Sequence, residues 1–213
     1  MKKRNKNKNI HININNRYQR LKQKRLYIAL LIVVVVAFIL GILFLAVVSK
    51  ANKELVKESL DTFFNSVKTD KLDYLSGLFS SLGNTVGINL VMWVLGISVV
   101  GIPLIIFLIF FKSFTLGFSL SSIVYFYGFK GILIGIIYII PNLISIFVYI
   151  VMGFYAISFS RHLFNLIFRK KEIIFKKLTT RYLKVLGIST LILIGCSILE
   201  IYLVPMILKT MIG

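Results

Sequence analysis

The strongest constraint on this chain is the length of its uncharged apolar runs. Hydrophobic residues make up 58% of the sequence and charged residues only 15%, whereas an ordinary soluble domain carries about 25% charged residues. A helix of about 20 apolar residues crosses the roughly 30 Å hydrocarbon core of a bilayer. The runs are continuous rather than alternating, which favours helices over the strands of a membrane barrel. The sequence therefore predicts an all-α, polytopic transmembrane helical bundle of about five spans.

The predicted membrane domain covers residues 26–213 and contains one long outer loop and one long cytoplasmic loop. The predicted spans are residues 26–48, 86–111, 113–129, 131–159 and 185–208. Lys112 and Lys130 are interpreted as turn residues on either side of the third span. Amphipathic helices are predicted in the outer loop, residues 49–85, and in the cytoplasmic loop, residues 160–184.

The shape of the fourth span is open because Pro141 interrupts it. Proline removes a helical hydrogen bond and its ring clashes with the preceding turn, so a kink is expected. The alternative is a pair of half-helices that enter the membrane and return. We favour one kinked helix, because a sixth pass would move the basic loop 160–184 to the outside of the cell.

Residues 1–25 form a basic, asparagine-rich segment that contains no acidic residue. Such a composition cannot bury enough apolar surface to fold, so the segment is predicted to be a disordered tail. Beside a membrane it is attracted to anionic lipid. Nucleic-acid binding is the other interpretation of a basic tail, but nothing else in the sequence supports it.

The basic residues also predict the orientation. Most of them lie in residues 1–25 and 160–184, and cytoplasmic segments of membrane proteins are enriched in lysine and arginine. The N-terminus is therefore expected in the cytoplasm, and the loop 49–85 and the C-terminus outside. The net charge of +19 is explained mainly by this topology signal.

The sequence offers no catalytic or metal-binding motif, so we expect no enzyme activity and no cofactor. It has two histidines and one cysteine, Cys196, which lies inside an apolar run. Glu200 is the exception among the spans, since a carboxylate in the membrane is costly and is often functional. We hypothesise a polar cluster of Glu200 with Asn89, Asn142 and Lys130. The alternative is a protonated, hydrogen-bonded Glu200 that serves only helix packing.

The outer loop carries apolar residues at helical spacing, opposite its charged residues. This amphipathic pattern is typical of a helix with one face covered. The face either lies on the spans or the leaflet, or binds a partner protein. The candidate docking residues are Val56, Leu60, Phe63, Phe64, Val67, Leu72, Leu75 and Phe79.

Small residues recur at four-residue spacing in two predicted spans. They are Ser113, Gly117 and Ser121 in the third span and Gly131 and Gly135 in the fourth. This spacing lets helices approach closely. Packing within the chain is the simplest interpretation and a homodimer is the alternative, so the oligomeric state stays open.

The segment from about residue 80 to residue 160 resembles the bacterial stage II sporulation protein M family. The resemblance rests on four motifs in order: NLVMWVLGISVVGIP at residues 89–103, FKSFTLGF at 111–118, GFKG at 128–131, and PNL at 141–143. The family has no active-site motif, so the resemblance implies no catalytic residue.

The resemblance implies a role in engulfment during endospore formation, at the sporulation septum. Family members are similar in role to a scaffold that recruits two peptidoglycan hydrolases, stage II sporulation proteins D and P. The assignment of docking to the outer loop comes from the residues and not from the family. The alternatives are a small permease or channel-like subunit and a membrane structural protein outside sporulation.

Overall fold

The computed structural model describes residues 2–69, 71–169 and 175–212, and side chains within residues 23–69, 71–166, 176 and 178–209. These residues are almost entirely helical. The elements are α1 (Lys2–Val47), α2 (Lys50–Lys68), α3 (Tyr74–Ile97), α4 (Gly101–Arg169), α5 (Phe175–Ile198), a π-helical turn (Leu199–Leu203) and α6 (Val204–Ile212). Four stretches in the described residues are long and apolar enough to cross a membrane: Gln23–Val47, Tyr74–Ile97, Gly101–Leu166 and Leu178–Lys209. The predicted helical membrane bundle is confirmed.

Helix α4 is a hairpin of two arms, residues 101–127 and 129–169, which turn at Gly128. Its 69 residues would extend about 100 Å as one straight helix, three times the thickness of the hydrocarbon core. Gly128 has a φ of 54°, a conformation that glycine adopts without steric cost. Beyond the turn, a Cβ on Gly131 would lie 2.4 Å from the carbonyl oxygen of Ile123. The arms therefore touch, and α1, α3, the two arms and α5 make five passes.

The boundary between the second and third passes differs from the prediction. Helix α3 starts at Tyr74 and ends at Ile97, and the turn lies at residues 98–100. Pro103 is near the start of α4, where its missing N–H costs no helical hydrogen bond. Lys112 is therefore not a turn residue. It lies about 16 Å along the first arm from Gly101, close to the middle of the membrane.

The fourth predicted span is a single helix, since the second arm of α4 continues through Pro141. The predicted loop 160–184 is mostly helical, because α4 extends to Arg169 and α5 starts at Phe175. Residues 170–174 of that loop lie outside the described residues. Helix α1 starts at Lys2, where a disordered tail was predicted. Extending an existing helix costs far less than nucleating one, so the first span can carry a poor helix-forming sequence.

Helix α2 lies across one end of the bundle, which we call the α2 end. Its residues Phe64 and Val67 are buried against Val204 and Leu208 of α6. The Phe64 ring also packs edge-to-face on Tyr127, with 4.7 Å between the ring centroids. Tyr127 donates a hydrogen bond to Asp61, and the Lys53 ammonium lies 5.4 Å from the centroid of the Tyr125 ring. These contacts fix α2 on the tip of the α4 hairpin.

At the opposite end of the bundle, Tyr182 of α5 joins α3 to the second arm of α4. Its ring stacks on Phe159 at a centroid distance of 4.5 Å. Its hydroxyl donates a 2.8 Å hydrogen bond to the carbonyl oxygen of Trp93. Ser160 ties the turn between α3 and α4 to the second arm through a 2.9 Å hydrogen bond to the Ser98 carbonyl oxygen.

Replacing Gly41 with alanine is expected to destabilise the bundle. A Cβ on Gly41 would lie 2.1 Å from the carbonyl oxygen of Phe114, so α1 must move away from the first arm of α4. Overpacking of this kind costs about 1–3 kcal/mol. Gly187→Ala is the control, because nothing lies within 4 Å of a Cβ there. Unfolding of the purified protein in mixed micelles measures both, and equal stability of the two variants would contradict the packing.

Candidate functional site

Glu200 lies in the π-helical turn that joins α5 to α6. The N–H of Val204 bonds to the carbonyl oxygen of Leu199, which is one residue longer than an α-helical step. Pro205 follows directly and has no N–H to continue the α-helical pattern past Ile201. The local sequence thus accounts for a widened turn at Glu200. Turns of this kind are rare and frequently occur at functional sites.

The Glu200 carboxylate accepts hydrogen bonds from two other helices. Ser81 of α3 donates through its hydroxyl at 3.0 Å. Asn142 of the second α4 arm donates at 3.5 Å, and the same amide group is 3.1 Å from the Tyr138 carbonyl oxygen. The structure therefore brings together Glu200 and Asn142, two members of the predicted polar cluster.

Asn89 and Lys130, the other two predicted members, lie elsewhere. Asn89 is fully buried and donates to Ser189 at 2.9 Å and to Thr190 at 3.2 Å. It lies about 12 Å along α3 from Ser81, so it forms a separate contact between α3 and α5. Its Oδ1 atom has no hydrogen-bond partner among the described residues. Lys130 is exposed beside the Gly128 turn.

Lys112, rather than Asn89 or Lys130, lines a cavity with Glu200. It is half-buried and lines a cavity of about 120 Å³ together with Glu200. The two side chains therefore line the same space from different helices. We call this space the small cavity. Its other walls carry Asn84, Thr85, Thr115, Leu116, Tyr138, Asn142, Ser145, Ile146 and Tyr149. The volume is enough for several water molecules, and most of the lining residues carry polar groups that could bind them.

A second, larger cavity lies between Glu200 and the α2 end. Its volume is about 540 Å³, and we call it the large cavity. Asn84, Tyr138 and Glu200 line both cavities, so the carboxylate stands between them. The walls of the large cavity come from α2, α3, both arms of α4, the π-helical turn and α6. This arrangement places one acidic group at the inner end of a mostly apolar chamber.

The candidate docking residues divide into two groups in the structure. Phe64 and Val67 are buried, and Val56, Leu60 and Leu72 are half-buried, so the chain itself covers most of the predicted apolar face. Phe63 is 40% exposed, Leu75 65% and Phe79 72%. Leu55, which the sequence pattern did not select, is 62% exposed. These four residues, Leu55, Phe63, Leu75 and Phe79, are exposed large apolar side chains on α2 and the first turns of α3.

Sequence reasoning missed Lys112, Ser81, Asn84, Tyr138 and Tyr149. A signal existed for Lys112, because Pro103 is better placed at the start of a helix than in its middle. A helix that starts near Pro103 carries Lys112 into the membrane. The serine, asparagine and tyrosine residues gave no comparable signal, since their position depends on how the helices are rotated against each other.

These features define an integral membrane protein, a multi-pass helical bundle in which Lys112 and Glu200 line one cavity between the helices. Among the described residues, no group of three histidine, cysteine, aspartate or glutamate side chains is placed to hold a metal ion. The family model for stage II sporulation protein M matches residues 30–205, which is most of the chain. The chain belongs to this family, and the resemblance stated from its motifs is confirmed. It is therefore a sporulation-related membrane protein.

Two further comparisons gave no match. No curated protein is similar enough to match the chain, and no solved structure matches it either.

The Lys112–Glu200 pair is expected to stabilise the bundle as a unit. Lys112→Met or Glu200→Gln alone leaves a charge in the membrane with its partner removed, whereas the double variant removes both charges. The double variant should therefore lose less stability than the sum of the single losses, with a coupling of about 0.5–3 kcal/mol. Unfolding in mixed micelles measures the cycle, and Lys57→Met with Glu200→Gln is the control pair. Additive losses for Lys112 and Glu200 would show that the two charges act independently.

Proposed function

We propose that this protein is a membrane scaffold of engulfment, which recruits peptidoglycan hydrolases to the sporulation septum and has no enzymatic activity of its own. The partners proposed are stage II sporulation proteins D and P. The family supports the sporulation role, and the α2 end supports the docking role. The observation that carries the docking role is that α2 is fixed by its buried face while large apolar residues stay exposed around it.

The α2 end has the properties of a partner-binding surface. Exposed apolar residues in a group commonly mark sites of interaction with proteins or membranes. Here Leu55 and Phe63 lie on α2, and Leu75 and Phe79 lie on the first turns of α3. The acidic residues Glu54 and Glu58 are also exposed on α2. Exposed apolar side chains thus lie on the same helices as exposed charged side chains. A protein partner can contact both kinds of side chain, whereas lipid tails can contact only the apolar ones.

Docking of wall enzymes requires the α2 end to face outward. The positive-inside rule supports that orientation, because the described basic residues Arg161 and Arg181 and most of the N-terminal lysines belong to the opposite end. A cysteine at Ser59, which is exposed on α2, should react with a membrane-impermeant maleimide in intact cells. A cysteine at His162 should react only after lysis. The native Cys196 is buried and gives the background, and the reverse pattern of labelling would refute the orientation.

The engulfment role predicts a specific defect in a deletion strain. Membrane dye should show a flat septum that does not curve around the smaller cell. The wild-type chain should restore engulfment and co-purify with the two hydrolases. Leu55→Asp combined with Leu75→Asp should keep the chain in the membrane but reduce co-purification at least tenfold. Lys57→Gln is the matched control on the exposed face of α2, and normal engulfment in the deletion strain would reject the role.

A small permease or channel-like subunit is the second candidate, and the charge-lined cavities favour it. Residues of both signs inside the membrane are typical of proteins that move ions or protons. Proteoliposomes that contain the wild-type chain should then show solute flux that Glu200→Gln abolishes. Equal permeability of protein-containing and empty liposomes would remove this candidate.

A further inference from the structure

The large cavity has apolar walls and a polar inner end. Its volume of about 540 Å³ is within the range of ligand sites, roughly 300–1,000 Å³. Phe63, Ile134, Val204 and Pro205 are among the apolar residues that line it. Ser80, Ser81 and Asn84 of α3 bring hydrogen-bonding groups toward the end where Glu200 lies. A matching ligand is therefore mostly apolar and carries one polar group that can reach the end where Glu200 lies.

The charged groups of the large cavity are all acidic. Among the described residues that line it, only Asp73 and Glu200 are charged. Asp73 caps the start of α3, where its carboxylate accepts a 3.1 Å hydrogen bond from the N–H of Ser76. Ser81, which holds Glu200, follows eight residues later, or about 12 Å along the helix. One carboxylate thus lies near the α2 end and the other about 12 Å farther into the bundle.

Lys112 does not cancel this charge. It lines the small cavity and not the large one, so it approaches Glu200 from the far side. Asp73 is exposed, so Glu200 is the acidic residue at the inner end of the large cavity, and among the described residues no lysine or arginine lines that cavity with it. Charges inside membranes pair with one another because the low dielectric strengthens their attraction. The large cavity is therefore complementary to a cation on an apolar stem.

We propose that the large cavity binds an apolar polypeptide segment of a partner protein through one lysine or arginine side chain directed at Glu200. This inference rests on the proposed function and gives the chemistry of the partner. Lysine and arginine have apolar stems and a terminal charge, which matches apolar walls that lead to a carboxylate. A phospholipid has the opposite order, because its charged headgroup stays at the surface and its apolar chains lie deeper. The partner segment is therefore a better match than a lipid.

The test uses the full-length protein in nanodiscs with two capped probe peptides of about 20 leucine and alanine residues, a length that spans the bilayer. One peptide carries a central lysine and the other carries norleucine at the same position. Energy transfer from a fluorophore at Ser59→Cys to the labelled peptide measures binding. The lysine peptide should bind at least tenfold more tightly than the norleucine peptide. Equal affinities would overturn the proposal.

Two variants that replace a carboxylate with an uncharged amide test whether the lysine preference arises in the large cavity. Asp73→Asn should reduce the lysine preference at least threefold while keeping the helix cap, because asparagine caps helices as well as aspartate does. Glu200→Gln should reduce it further. Glu58→Gln, on the exposed face of α2, is the control and should leave it unchanged. A full preference in both Asp73→Asn and Glu200→Gln would place the lysine outside the cavity and refute the site.

Lys112→Met is expected to change the lysine preference in the opposite direction to Asp73→Asn and Glu200→Gln. Without its ammonium, Glu200 has only the partner's cation to balance it, so the lysine preference should rise several-fold. No change or a fall would show that Glu200 is not the binding group. These measurements use no hydrolase and do not depend on the deletion strain. A lysine preference that Asp73→Asn removes therefore supports the cavity site, even if the deletion strain engulfs normally. Failure of the proposed function and failure of this inference are thus distinguishable.

Discussion

Helices inside a bilayer gain almost nothing by burying apolar surface against each other, because the lipid tails around them are equally apolar. Their association depends instead on close packing and on polar contacts. In this bundle, glycine provides the close packing at two of the helix contacts. Gly41 and Gly117 let α1 and the first arm of α4 meet backbone to backbone. Gly131 does the same for the two arms of α4.

Polar contacts provide the second part, and they connect α3 with α5 and with the π-helical turn. Helix α5 is tied to α3 through Asn89 and Ser189, and the π-helical turn that follows α5 is tied to α3 at another depth through Glu200 and Ser81. Lys112, on the first arm of α4, lines the small cavity together with Glu200. Glu200 lies in the turn before α6. Helix α6 packs against Phe64 and Val67 of α2. Among the described residues, α6 thus lies between the Glu200 turn and the buried face of α2.

The sequence predicted the class of fold because that depends on composition, but the residues inside the bundle depend on helix rotation. A lysine in an apolar run looks the same in a turn as in a span, so Lys112 was assigned to a turn. Asn89 and Asn142 were both candidates for the Glu200 cluster, but Asn89 lies about 12 Å along α3 from Ser81, the α3 residue that contacts Glu200. The apolar pattern of α2 correctly indicated a covered face. It could not show that α6 and the α4 hairpin cover it.

Phe63 shows how closely the surface and the cavity are connected. It is 40% exposed at the α2 end and also lines the large cavity. A partner that binds the surface and a segment that enters the cavity would both contact this ring, so a change at Phe63 affects both events. Leu55 is exposed and does not line the cavity, whereas Asp73 lines it and caps α3. Substitutions at Leu55 therefore affect only surface binding, and substitutions at Asp73 affect binding in the large cavity. A partner that uses both sites would bind more tightly than through either one, because the second contact forms within the same complex.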